Sequence, residues 1–198
     1  MRYVPWSLVG LRGAAAVALG IGLVASRLTD ERVLALFVVA FVTDYFDGVI
    51  ARACSVATRR LRQADSVVDT AFYLVLAAVT HRLHSEVLRR HAAALAICLG
   101  TLAVWAVLDL LRWRAAAGFH SWSAKLFAVA LGVWAVALYG FHADGPWLVV
   151  ACAAGTLSHV EGIAISCALR HHVADVPTFA HALRLRRQPA VPARLEPA

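Results

Sequence analysis

Charge is scarce in this sequence: only 16% of its residues are Asp, Glu, Lys or Arg, against 61% apolar, where a soluble chain carries about a quarter charged. That scarcity excludes an ordinary water-soluble surface. With a mean hydropathy of +0.71, it points to a chain that spends most of its length in lipid. Cys54, Cys98, Cys152 and Cys167 are scattered and form no close pair in sequence, which excludes a metal knuckle or a dithiol redox motif and leaves them as small core residues. Polar surface is too sparse for a nucleic-acid groove, so the net charge of +7 does not mark a nucleic-acid partner. No internal repeat is visible, which weighs against a transporter built from inverted halves. Arg12 interrupts the apolar core that a signal peptide would need between Arg2 and Ser26, so the first segment is expected to remain as a span.

What is present is a series of apolar runs of about the 20 residues that cross a bilayer as helix. They lie near residues 8–26, 33–57, 65–80, 92–111, 124–142 and 146–169. Too long and too continuously apolar for the alternation of a membrane barrel, they predict an all-α polytopic bundle of about six transmembrane helices. The expected organisation is one membrane domain over 1–170, an interfacial helix within 171–187 and a disordered, proline-bearing tail over 188–198. In that helix Val176, Phe179, Ala180 and Leu183 form one stripe, and Arg184, Arg186 and Arg187 lie near its end. Sorting Lys and Arg between alternate sides gives 14 against 5. The positive-inside rule then puts both termini, and the loops after spans two and four, in the cytoplasm.

Against this background the acids stand out. Asp44 and Asp47 fall inside the second run, and Asp65 and Asp69 at the start of the third. Ionisable residues in a span are costly and face a bundle interior or a wet cavity. At about 100° per residue, Asp44, Asp47, Gly48 and Ala51 share one stripe, and Asp65 and Asp69 share another. Asp44 lies 12 residues after Arg32, and Asp69 lies 13 before Arg82, so the two pairs sit at similar depths of about 18–20 Å along their helices. Four carboxylates at one place repel unless cations neutralise them. Hard oxygen donors, with no His in the motif, favour Mg²⁺ or Mn²⁺, and four acids accommodate two ions. Gly48 and Ala51 clear the stripe for close approach of a helix or a diphosphate, and Arg52, one turn beyond Gly48, presents a guanidinium suited to phosphate.

The segment resembles the signature of the CDP-alcohol phosphotransferase family, D-x2-D-G-x2-A-R-x8-G-x3-D-x3-D. Asp44, Asp47, Gly48, Ala51, Arg52, Asp65 and Asp69 match seven of its eight fixed positions, and Leu61 stands where the family has its second glycine. Pro5 and Arg12 resemble the family's N-terminal Pro-Asn to Arg segment, with Trp6 in place of the asparagine. The resemblance implies an integral membrane enzyme of phospholipid biosynthesis that transfers a phosphatidyl group from CDP-diacylglycerol to an alcohol and releases CMP. It implies that Asp44, Asp47 and Asp65 hold the metals, that Asp69 deprotonates the acceptor and lies near enough to a metal to assist there, and that two copies pair in the membrane.

Arg112, Arg114 and Lys125, beside the second cytoplasmic loop, either bind a phosphorylated acceptor such as glycerol 3-phosphate or an inositol phosphate, or serve as flanking charges. Asp109 is expected to pair with Arg112 at i+3. Glu161 either lines the cavity or hydrogen-bonds a neighbouring helix, and His159 is read as structural. The competing readings are an ion- or proton-coupled transporter and a catalytically inactive relative.

Overall fold

The computed structural model describes residues 4–53, 59–113, 121–171, 173 and 176–187, without the side chains of 45, 47–53, 59, 60, 62 and 63. Among the described residues the chain is helical, without strands, as the continuous apolar runs predict. Seven helices follow in order: α1 Val4–Val24, α2 Asp30–Ala53, α3 Arg59–Arg90, α4 Ala92–Trp113, α5 Trp122–Phe141, α6 Trp147–Ala168 and α7 Phe179–Arg187. Five of them, α1, α3, α4, α5 and α6, are long and apolar enough to cross a membrane. At 24 residues, α2 is about 36 Å long, also sufficient to cross, and it carries the first acids. This is a helical membrane bundle.

The expected third span, 65–80, is only the apolar middle of α3, which runs for 32 residues. Hydropathy ends where charge begins, but Arg, Glu, Leu and Gln are all good helix formers, so the helix continues past the apolar stretch. It kinks at His84, whose backbone is non-helical at φ −131°, ψ 41°.

By packing, the chain divides into two compact units, Met1–Arg90 with Gly132–Gly145, and His91–Leu131 with Pro146–Ala198. In the first, α1 packs against both α2 and α3. Its buried face is Pro5, Val9, Arg12, Ala16 and Leu19, recurring every three or four residues as one helical stripe must. The matching stripes are Val33, Phe37 and Ala40 on α2 and Leu61, Phe72, Leu76 and Val79 on α3. Phe37 and Phe72 meet at 6.5 Å between ring centroids.

Elsewhere in this unit, Asp30 at the start of α2 joins the kink of α3 and the segment just after α5. Its Oδ1 lies 2.9 Å from His84 Nε2 and its Oδ2 2.9 Å from His142 Nδ1. Arg90, at the end of α3, pairs with Asp144, two residues after His142. Thr29 accepts the first backbone bond of α2 from Val33 at 3.0 Å, and Asp30 and Glu31 fill the first turn, where negative charge suits the helix dipole. The Thr29 side chain, followed by a backbone amide, holds the Glu31 carboxyl below the usual carboxylate range.

In the second unit α4 packs on α6, and α7 packs on the end of α6. Gly155 and Gly162 make the first contact possible: a Cβ at Gly155 would come within 2.8 Å of Cys98 Sγ, and one at Gly162 within 2.6 Å of the Trp105 ring. Small residues at such crossings are what bring membrane helices together. Cys98 and Cys152 are buried, Cys167 is exposed, and Cys54 lies outside the described residues.

The helix expected within 171–187 is realised as α7, starting at Phe179, and its covered face keeps Val176 and Leu183 of the predicted stripe but not Phe179 and Ala180. Ala182 and the preceding Val176 are buried against Ile165, Ala168 and Leu169, while Phe179 and Ala180 are exposed. The rotation is set at the helix start, where Glu161 Oε1 accepts from the backbone N–H of Phe179 at 3.2 Å. The tail 188–198 lies outside the described residues.

Candidate functional site

The first unit brings three acids together. Each of Asp44, Asp65 and Asp69 offers a carboxylate oxygen, and these atoms all lie within 4.8 Å of one another. Helix geometry explains the convergence. Asp44 continues the Val33, Phe37, Ala40 stripe of α2, and Asp65 and Asp69 sit between Leu61 and Phe72 on the buried stripe of α3. The Phe37–Phe72 contact thus lies to one side of the acids, before Asp44 on α2 and after Asp69 on α3. The carboxylates are partly open, with side-chain exposures of 48% for Asp44 and 30% for Asp65 and for Asp69. Asp47, Gly48, Ala51 and Arg52 have their backbone in α2, and their side chains lie outside the described set.

Sequence reasoning missed the fourth member. Arg12, counted there among the cytoplasmic flanking charges, is buried within α1 at 1% exposure. Its Nη1 lies 3.0 Å from Asp44 Oδ1 and 3.0 Å from Asp65 Oδ1, and it also pairs with Asp69 Oδ1. The signal was available: an arginine in the middle of an apolar helix needs an acidic partner at its own depth, and these aspartates supply it.

Leu61, at the position of the expected glycine, is buried against Val9 of α1, with Ala64 and Val68 alongside. Its side chain is therefore a packing peg between α1 and α3. Leu61→Gly should lower the unfolding free energy by about 2–3 kcal/mol, the scale of a large-to-small core change, with affinity for a CDP-linked donor equal or improved. Thermal unfolding in detergent and a donor titration read the two effects, and weaker donor binding by the folded variant would show that Leu61 helps to hold the donor.

The second unit holds the remaining sequence candidates. Arg112 donates to the Leu169 carbonyl at 2.9 Å, at the end of α6, and lies over the Trp113 ring at 5.0 Å. Lys125 lies over the Trp122 ring at 4.2 Å. Asp109 reaches across to α6, accepting from Ser166 Oγ at 2.6 Å, and Ser166 in turn accepts from Trp113 Nε1 at 2.8 Å. Glu161 accepts from Ser123 as well as from the start of α7, so its carboxylate ties three helices. His159 sits 3.2 Å from Thr101 Oγ1 and against the rings of Trp105 and Phe127. Arg114 lies outside the described residues.

A partly open cluster of carboxylates between membrane-spanning helices defines this chain as a polytopic membrane protein with an acidic centre. The family model described as CDP-alcohol phosphatidyltransferase matches residues 2–174, and the chain belongs to that family, whose enzymes transfer a phosphatidyl group from a CDP-alcohol in phospholipid synthesis. Comparison with curated proteins gives no match, and neither does comparison with solved structures.

Proposed function

We propose that this protein transfers the phosphatidyl group of CDP-diacylglycerol to a small alcohol and releases CMP. The observation that carries the reading is the convergence of Asp44, Asp65 and Asp69 within 4.8 Å, at the spacing of the family signature. The donor set fits a hard divalent cation: all three groups are carboxylates, and among the described residues no His or Cys joins them, a composition that suits Mg²⁺ or Mn²⁺. Asp44, Asp47 and Asp65 would hold the ions, two in number, with Asp69 close enough to assist. Their contribution when bound is to neutralise and orient the diphosphate.

The chain's own residues do the rest. Asp69 takes the proton of the acceptor hydroxyl on a carboxylate oxygen. The acceptor oxygen bonds to the phosphorus that carries diacylglycerol, the bond from that phosphorus to the bridging oxygen breaks, and CMP leaves with the electron pair. Arg52 is the cation for the charge on the departing phosphate, and Gly48 and Ala51 are the small residues for close approach of the donor. Arg112 and Lys125 are the cations suited to a phosphorylated acceptor such as glycerol 3-phosphate or an inositol phosphate.

The donor's acyl chains enter from the bilayer, and the acceptor enters from the cytoplasm. Both termini and the mouth of the site face the cytoplasm, a reading supported by the partition of Lys and Arg, 13 to 5 once the buried Arg12 is set aside from the 14, and two copies pair in the membrane. The decisive experiment incubates purified protein with radiolabelled CDP-diacylglycerol, Mg²⁺ or Mn²⁺ and a panel of alcohols. CMP release with one acceptor class is expected; none with any acceptor, from folded protein, rejects the reading.

A further inference from the structure

Arg12 stands in an unusual electrostatic position. One guanidinium nitrogen, Nη1, contacts carboxylates on both α2 and α3, at 3.0 Å for Asp44 Oδ1 and Asp65 Oδ1, and pairs with Asp69 Oδ1 as well. Nη1 has two hydrogens for three acceptors. Asp44 and Asp69 receive them as hydrogen bonds. Asp65 Oδ1 is left with the ionic contact alone, a buried oxygen without a hydrogen-bond donor. Arg12 is therefore a counter-cation that fills the centre of the cluster without satisfying it. A single positive charge also leaves these three acids with two excess negative charges.

The placement of Arg12 is firmly built. Its side chain is 2% exposed while the carboxylates it meets are 30–48% exposed, so it reaches the cluster from the sealed α1 side and the open side faces away from it. Val9, Ala16 and Leu19 continue its buried stripe, and Gly13, next to it, stands 3.9 Å from Val68 of α3, measured from where its Cβ would be. A charge so enclosed in an apolar helix face is held there by its partners.

We propose that Arg12 competes with the divalent cation for the carboxylate oxygens of Asp44, Asp65 and Asp69, and thereby sets the affinity of the site for that ion. The inference rests on the reading of these aspartates as ion ligands. Mg²⁺ binds carboxylate oxygen at about 2.0–2.1 Å, so an ion shared by the three acids needs the space that Nη1 fills. Arg12 must withdraw by rotation of its flexible side chain, and the energy of its ionic contacts with these three acids is subtracted from the energy of ion binding. A residue that merely scaffolded the acids would act in the opposite direction, because its loss would scatter the ligands and weaken binding.

The test is a Mn²⁺ titration of the purified full chain, read by the electron paramagnetic resonance signal of free Mn²⁺. Arg12→Gln should bind Mn²⁺ about tenfold more tightly than the unaltered protein, since a competing cation has been removed. Arg12→Lys, whose shorter side chain and single ammonium reach fewer of the oxygens, should fall between the two. Should Arg12→Gln fail to fold, Arg12→Lys, which keeps a cation in the span, carries the test alone. Affinity equal to or weaker than that of the unaltered protein in the folded variants overturns the role of Arg12 and leaves the ion site standing. No saturable binding by the unaltered protein, or binding unchanged by Asp65→Asn, rejects the ion site itself and the proposal with it.

Discussion

Asp69→Asn should lower turnover by about three orders of magnitude, within the range that a positioned general base contributes, while the donor is still bound. Asparagine has nearly the shape of aspartate, so the packing of α3 around Phe72 stays in place. What it removes is the capacity to accept a proton from an alcohol whose oxygen must become a nucleophile. A residue whose main contribution is to the chemical step lowers kcat and kcat/KM together, and with Asp44, Asp47 and Asp65 left to hold the ions, ground-state binding of the donor is largely kept. The expected result is therefore a collapse of radiolabelled CMP release with CDP-diacylglycerol affinity preserved within about twofold. Turnover close to that of the unaltered protein would remove Asp69 as the base and leave the proton to another group in the cluster.

The fold was legible because lipid simplifies the code. In water a helix announces itself by periodicity, whereas in a membrane the length of an apolar run suffices, and α4, α5 and α6 lie close to where the runs predicted them. The failures came where the code changes. The ends of α3 leave the apolar stretch, and its 32 residues with a kink at His84 were invisible to hydropathy. The covered face of α7 depended on Glu161, far away in sequence, binding the amide of Phe179. No local pattern contains that contact.

The acids were legible for a different reason. A charge in a span has so few places to go that two acidic stripes at equal depth on neighbouring helices constrain each other. The same logic applied to Arg12, but its arginine was absorbed into the tally of flanking charges because it sat near the chain's start. Leu61 shows the reverse limit. The motif marked it as a departure, and only the packing against Val9 shows where its side chain goes.

Chelation of divalent ions should abolish turnover, and Mg²⁺ or Mn²⁺ should restore it. The charge stabilisation that an ion gives to a phosphoryl group is worth several kcal/mol, on the order of 10³-fold or more in rate. Calcium, which prefers more ligands at longer range, should restore activity poorly. Among the three clustered acids, Asp65 should be the most sensitive. Its Oδ1 is buried without a hydrogen bond, so it gains most from a closer cation and loses least by releasing Arg12. Asp65→Asn should raise the Mg²⁺ concentration for half-maximal activity by at least about tenfold to a hundredfold, the cost of losing even an outer partner of a metal site. Saturating Mg²⁺ should then recover part of the rate, because Asp69 remains to take the proton. An unchanged Mg²⁺ requirement in the variant would place the ion elsewhere and make Asp65 a partner of Arg12 alone.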